Sequence, residues 1–194
     1  MSEHWPVTLR SEDLILRPLR MRDRKRFLQV RIENKDWLNS WEATLPQVPG
    51  EDSSQKLPSF YDMVRWHSRE GRQGRSYSMA IWHKNPQGSN LIGQITMGGV
   101  IYGAMRGAHI GYWIDKAYAN RGYTTRAIEI LTRFGFDQLG LHRIEINIRP
   151  ENAPSRRVAE KAGYLLEGTR ARYLHIDGQW RDHVSYVKEN PTVE

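Results

Sequence analysis

The segment from Ala108 to Leu139 constrains this chain more than any other, because two hydrophobic periods meet there across a short polar joint. Residues Ala108 to Ile114 include Ile110, Tyr112, Trp113 and Ile114, the β-branched and aromatic content of a strand. Ala127, Ile128, Leu131, Phe134 and Leu139 then fall on one face at the period of a helix. Between the two runs stands Arg121-Gly122, followed by Tyr123-Thr124-Thr125. A helix that starts straight out of such a joint leaves its first amide groups without partners, and its dipole favours an anion there. A glycine, lacking Cβ, lets phosphate oxygens approach the main chain. Thr124, Thr125, Arg121 and Arg126 supply further polar partners. Strand, Arg-Gly and helix together have the grammar of a pyrophosphate cradle; an ordinary turn is the plain alternative.

A chain of 194 residues reads as a single domain spanning 1–194, large enough to bury a substantial core. Its apolar fraction of 39% suits a folded globule, and no apolar run approaches the roughly 18 residues of a membrane span. The opening Met-Ser-Glu-His-Trp-Pro lacks the apolar stretch of a secretory signal, so the expected compartment is the cytoplasm. With no Cys, disulfides, zinc thiolates and a cysteine nucleophile are excluded together, and no metal is expected. A net charge of +7 favours anionic ligands or surroundings: a phosphorylated cofactor, or RNA and ribonucleoprotein nearby.

Along the chain, Leu14 to Leu16 reads as a first strand and Met21 to Ile32 as a helix whose start is marked by Asp23. Trp37, Leu38, Trp41 and Leu45 form a helical stripe ended by Pro46 and Pro49, and residues 50–54 a polar loop. Leu57, Phe60, Tyr61, Val64 and Trp66 predict a further helix that fades at Gly71 and Gly74. Tyr77 to Trp82 and Leu91 to Met97, joined through Asn85-Pro86-Gln87-Gly88, predict a hairpin. Ala108 to Ile114 follows as a fourth strand. Arg143 to Ile148 reads as a fifth, Asn152 to Ala162 as a short helix stopped by Gly163, and Leu165 to Tyr173 with Trp180 to Val187 as a closing hairpin turning at Asp177-Gly178. This order predicts an α+β fold: a mixed, mostly antiparallel sheet of about seven strands flanked by helices, whose crossover helix joins two neighbouring parallel strands.

The Arg121-Gly122 joint, the later Arg149-Pro150-Glu151-Asn152-Ala153-Pro154-Ser155 and Ala162-Gly163-Tyr164 together resemble the GCN5-related N-acetyltransferase (GNAT) superfamily. Within it the chain is similar to the RimJ and RimL branch, which acetylates the N-terminal alanine of ribosomal proteins. Trp41-Glu42, Ile110-Gly111-Tyr112-Trp113 and the run Ile176 to His183 support that branch, and the resemblance extends from Leu14 to Val187. Two departures stand out. Ala119 and Thr124 replace the outer residues of the superfamily's phosphate loop, leaving Gly122, and His109 stands where many relatives carry a Glu base.

The resemblance implies acetyl-CoA as donor, its pyrophosphate held by Asn120, Arg121, Gly122, Tyr123, Thr124 and Thr125. It also implies a splay between the fourth and fifth strands, near Trp113, Ile114 and Asn147, that admits the pantetheine arm. Asn152 would bond that arm and Ser155 protonate the leaving thiolate; the same Asn and Ser spacing is also an ordinary helix cap. His109 is the candidate base or a structural strand histidine. Trp41, Glu42 and Tyr173 would border the acceptor, unless Trp41 is core and Glu42 a solvated neighbour.

The implied reaction is direct attack by an amine in a ternary complex, with the N-terminal Ala of a ribosomal protein as acceptor. An α-amine is roughly a tenth neutral near pH 7 and a lysine on the order of 0.04%, a difference of about 3.5 kcal/mol, so an N-terminal acceptor needs little help from a base. The alternatives are a small-molecule amine such as an aminoglycoside or polyamine, and an RNA- or ribosome-associated binding protein with degenerate catalysis.

Overall fold

The computed structural model describes residues 5–50 and 58–193. Eight strands form one sheet: β1 (Leu9–Arg10), β2 (Leu14–Arg17), β3 (Tyr77–Asn85), β4 (Gly88–Ile101), β5 (Gly107–Ile114), β6 (Arg143–Ile148), β7 (Leu165–Ile176) and β8 (Gln179–Glu189). Their spatial order is β1-β2-β3-β4-β5-β6-β8-β7. All neighbours are antiparallel except β5 and β6. The crossover between those two is α4 (Tyr123–Asp137). The other helices are α1 (Arg24–Glu33), α2 (Lys35–Asn39), α3 (Phe60–Arg72) and α5 (Ala153–Lys161).

Strand alternation sorts the residues between two layers of helix. Leu14, Leu16, Met79, Ile81, Ile95, Met97, Ile110, Ile144 and Ile146 meet Ala127, Ile128, Leu131 and Phe134 of α4 and Ala159 of α5 in the principal core. On the opposite face Phe27 of α1 packs with Phe60 and Val64 of α3, with Trp113 of β5 against them. Leu131 is fully buried, and trimming such a leucine to Ala destabilises a domain by about 2–5 kcal/mol.

The parallel pairing that the crossover creates is short. It runs from Gly107 opposite Arg143 to His109 opposite Glu145 and then stops. Beyond it β5 stays with β4 and β6 with β8, so the sheet opens between β5 and β6 from Ile110 onward. A bulge in β4 between Gly98 and Ile101 lies opposite the last paired residues, where it adds local twist.

The mixed, mostly antiparallel α+β sheet matches the expectation, with one strand more than the seven predicted: the two-residue edge strand β1. The helix predicted through Leu45 ends at Asn39. Past that point the chain runs extended along the closing hairpin: Ala43 bridges Ile176, and the Thr44 amide donates to the His175 carbonyl at 2.9 Å. A tertiary pairing thus overrides the helical spacing. Leu57 and most of the polar loop expected at 50–54 lie outside the described residues.

Candidate active site

The cradle is built where β5 ends. Asp115 accepts from the Ala117 amide at 3.0 Å, closing a single turn over Lys116–Tyr118. Asn34 pins that turn, donating to Asp115 Oδ1 at 3.1 Å and accepting from the Lys116 amide at 2.8 Å. The chain then passes through Asn120 at φ 60° and Gly122 at φ 77°, both left-handed, and α4 starts without a side-chain cap. As a result the amides of Asn120, Arg121, Gly122, Tyr123, Thr124 and Thr125 have no acceptor among the described residues. A Cβ on Gly122 would meet nothing within 4 Å, so no packing demands a glycine there; the backbone angle does, and the bare Cα leaves the amides open. Unpartnered amides at a helix start are the fitting donors for a pyrophosphate.

The side chains around the joint divide. Arg121 is exposed over the Tyr118 ring at 5.7 Å, free to reach a phosphate. Arg126, expected to serve the same anion, instead holds Asp13 through two bonds of 2.5 and 3.0 Å and covers the Tyr123 ring. The Arg126 bond, opposed by burial, lowers the Asp13 pKa, so this tie from α4 to the start of β2 is ionic at neutral pH. Thr124 is buried and Thr125 half-buried. Tyr123 donates or accepts at His83 Nε2 across 3.1 Å, fixing the first residue of α4 against β3.

The splay leads from the cradle toward α5. Asn152 caps this helix by accepting from the Ser155 amide at 3.1 Å, with Pro154 in the first turn, which leaves its side-chain NH₂ uncommitted. The ordinary capping role and the implied binding role are therefore compatible. Ser155 Oγ lies 2.7 Å from the hydroxyl of Tyr112, which projects from β5. Burial, partly offset by the Ser155 bond, pushes the Tyr112 pKa up to about 12. The phenol keeps its proton and can donate to Ser155 Oγ, leaving the serine proton free to turn elsewhere. Tyr112 was missed as a site residue; it stands inside Ile110-Gly111-Tyr112-Trp113, but only the packing of α5 reveals its partner.

The opposite face of β5 and β6 carries the residues expected to border the acceptor. Trp113 sends its indole there, where it packs on Phe27 and donates to Gln94 at 3.4 Å, so its main chain is what borders the splay. The Ile114 carbonyl accepts from Trp37 Nε1 at 3.1 Å. Asn147 accepts from Ser185 Oγ at 2.6 Å. Gly111, between His109 and Trp113, leaves an open patch: a Cβ there would touch nothing within 4 Å.

His109 borders that patch. Its ring lies over Gly98 and Gly99 of β4, and a Cβ on Gly99 would stand 2.8 Å from His109 Cε1. Opposite it is Glu145, buried and bonded to Arg143 at 3.0 Å and Arg170 at 2.6 Å. Desolvation of the ring lowers the His109 pKa below 6.5, with Glu145 opposing and Arg170 assisting, although the residue as a whole is exposed. The imidazole is thus neutral at pH 7.

Trp41, Glu42 and Tyr173 each pack against a different partner. Trp41 is 38% exposed and lies under Arg149 at 5.2 Å, which excludes the core reading. Glu42 is paired with Arg31, itself over the Trp113 ring at 5.3 Å. A bulge in β7 between Arg170 and Leu174, with Arg172 at φ 50°, swings Tyr173 over His183 at 5.7 Å. His183 is buried and neutral, its pKa lowered by burial. Its Nδ1 must donate to the Arg181 carbonyl at 3.0 Å, which leaves Nε2 as an acceptor. The sequence places His183 on the closing hairpin with Tyr173, Trp180 and Asp182, mostly as packing residues, and gives it no chemical role.

Comparison with known proteins accords with this geometry. Residues 13–165 match the family model of the acetyltransferase (GNAT) domain. The chain is 29% identical to the [ribosomal protein uS5]-alanine N-acetyltransferase of Escherichia coli strain K12 over 191 residues, covering 95% of this chain and 92% of that one. The solved structure of Mycobacterium smegmatis RimJ in complex with CoA-disulfide superposes with a TM-score of 0.83 at 34% identity, over 97% of this chain and 90% of that one. The ribosomal-protein-S5-alanine acetyltransferase of Vibrio fischeri shares the fold with a TM-score of 0.81 at 23% identity, over 97% and 99%. This chain belongs to the GNAT acetyltransferase family and is an N-acetyltransferase.

Proposed function

We propose that the protein transfers acetyl from acetyl-CoA to the N-terminal α-amine of a ribosomal protein, with alanine as the first residue, and does so in the cytoplasm. The observation that carries this reading is the run of unpartnered amides from Asn120 to Thr125, set beside a sheet that opens immediately after His109 and Glu145. The two relatives named for RimJ or uS5-alanine acetylation support the acceptor class. Acetyl-CoA supplies an acetyl group already activated as a thioester.

The chain's own residues do the rest. The amides and Arg121 hold the pyrophosphate, and the Asn152 NH₂ bonds the pantetheine arm. The acceptor amine enters over Gly111, along the wall of Trp41 and Tyr173, and attacks the carbonyl directly. Its surplus proton passes to neutral His109, and Glu145 stabilises the imidazolium that results. As the carbon–sulfur bond breaks, Ser155 gives its proton to the sulfur and takes one back from solvent, while Tyr112 holds the Ser155 oxygen. General acid and base help of this sort contributes about 10²–10⁴-fold, and an α-amine needs the lower end of that range.

The test is release of CoA in the presence of peptides starting with Ala, Ser or Thr, lysine peptides with blocked ends, and aminoglycosides. Turnover confined to free N-termini and fastest with Ala is the expected result. Turnover confined to aminoglycosides or lysine side chains contradicts it.

A further inference from the structure

Nearly all of the chain's net charge of +7 sits in one short segment: residues 17–31 hold seven arginines and lysines against a single acid, Asp23. Two of the seven are neutralised, Arg17 by Asp23 at 2.7 and 3.0 Å and Arg31 by Glu42. The other five, Arg20, Arg22, Arg24, Lys25 and Arg26, are exposed and have no salt-bridge partner among the described residues. Three of these occupy the first turn of α1, which has no acid. That is the wrong end of the helix for a cation, because the dipole and the orphan amides are already positive there. Asp23 stands at the cap position but makes no cap bond; its carboxylate is taken by Arg17 and by the Arg20 amide at 2.8 Å. A departure from local helix logic of this size marks a place held for function.

Beside this turn lies a groove of about 470 Å³ between α1 and the β2–β4 face, lined by Arg17, Arg22, Lys25, Arg26, Trp82 and Ser89 among others. None of the residues that line it belongs to the cradle or to the splay. Trp82 is only 4% exposed, yet its indole N–H has no acceptor among the described residues. Arg26 reaches across to the Ser89 carbonyl at 2.5 Å. The groove is thus rich in donors, and the one carboxylate near it is already committed. Such a lining suits a ligand that only accepts, and guanidinium forks match phosphate oxygens in particular.

The unpaired cations extend beyond the groove, from Arg20 to Arg26, which fits a run of phosphates better than a single one. A membrane surface is a poorer match: a helix that lies on lipid needs an exposed apolar face, and on α1 Phe27 is turned into the protein and Leu28 and Val30 are half-buried, which leaves Ile32 as its single exposed apolar side chain beside Arg24, Lys25, Arg26 and Gln29. The geometry points to a docking site for the phosphodiester backbone of RNA in this groove, with Arg22, Lys25 and Arg26 as its phosphate ligands. The choice of RNA rests on the ribosomal acceptor proposed above; the phosphate chemistry does not.

The test is fluorescence anisotropy of a labelled RNA hairpin with the whole protein across a range of salt. Arg22→Gln, Lys25→Gln and Arg26→Gln combined should weaken binding at least about tenfold near 0.1 M salt and flatten the log–log salt slope by roughly 2. Arg72→Gln, Arg133→Gln and Lys161→Gln, which remove the same charge from exposed positions elsewhere, should leave both nearly unchanged. Equal losses in the two triple variants overturn the site, since bulk charge then explains the binding. Displacement of the RNA by CoA, or tighter retention on phosphatidylserine vesicles than on RNA, overturns it as well. CoA release with a short Ala-starting peptide should be unaffected by either triple variant, so this proposal and the acetyl-transfer reading can fail independently.

Discussion

The hydroxyl of Tyr112 lies 2.7 Å from Ser155 Oγ, joining the strand along the splay to the helix that closes it. With its pKa pushed up to about 12, the phenol remains a donor at every working pH. Ser155→Ala should lower kcat by about 10²-fold with little change in KM for acetyl-CoA, as expected for a group that acts on the departing sulfur. Tyr112→Phe removes only the bond that aims the serine and should lower kcat by roughly tenfold, the scale of one hydrogen bond. Steady-state kinetics of both variants check this; a Ser155→Ala enzyme with unchanged kcat removes the serine from proton delivery.

His109 should leave its mark on the pH dependence of turnover. Its pKa lies below 6.5, and the acceptor amine titrates at about 7.7–8.0, so both must be deprotonated for the reaction. At low pH the wild-type kcat/KM should fall with the slope of two protons. His109→Gln should fall with the slope of one and should be about 10- to 100-fold slower at pH 7. A variant that keeps the two-proton slope assigns the second ionisation to another group, His183 being next in line.

Stability should decline on acidification earlier than carboxylates alone would dictate. Burial lowers the pKa of His67, His109 and His183 below 6.5, so the unfolded chain takes up protons that the folded one refuses. Folding stability should therefore drop as pH falls from about 6.5 through the lowered values, by linkage. Asp13 and Asp23, both held below 3.8 despite burial, add a second loss only at lower pH. Thermal melts across pH 7 to 4 measure this, and a flat midpoint down to pH 5 contradicts it.

What the sequence made legible depended on the range over which each interaction acts. The unit from β5 to β6 was readable because its strand alternation, its Arg-Gly joint and its helical face are local, and the turn at Asp177-Gly178 was readable for the same reason. The end of α2 was not: Trp41 continues the helical spacing, but Ala43 pairs with Ile176, far along the chain. Arg126 looked like a phosphate ligand because its partner Asp13 lies 113 residues away. Tyr112 and His183 lie in recognisable motifs, but their partners are not local: α5 brings Ser155 to one and the β7 bulge brings Tyr173 to the other.

The amides around Gly122 are the donors on which acetyl-CoA binding depends, and titration calorimetry with CoA addresses them directly. The wild-type protein should bind CoA with one site per chain. Gly122→Asp, which strains the left-handed turn and sets a carboxylate at the phosphates, should weaken binding at least about tenfold while leaving the fold intact by circular dichroism. No measurable heat with the wild-type protein, or equal affinity in the Asp variant, contradicts the central claim.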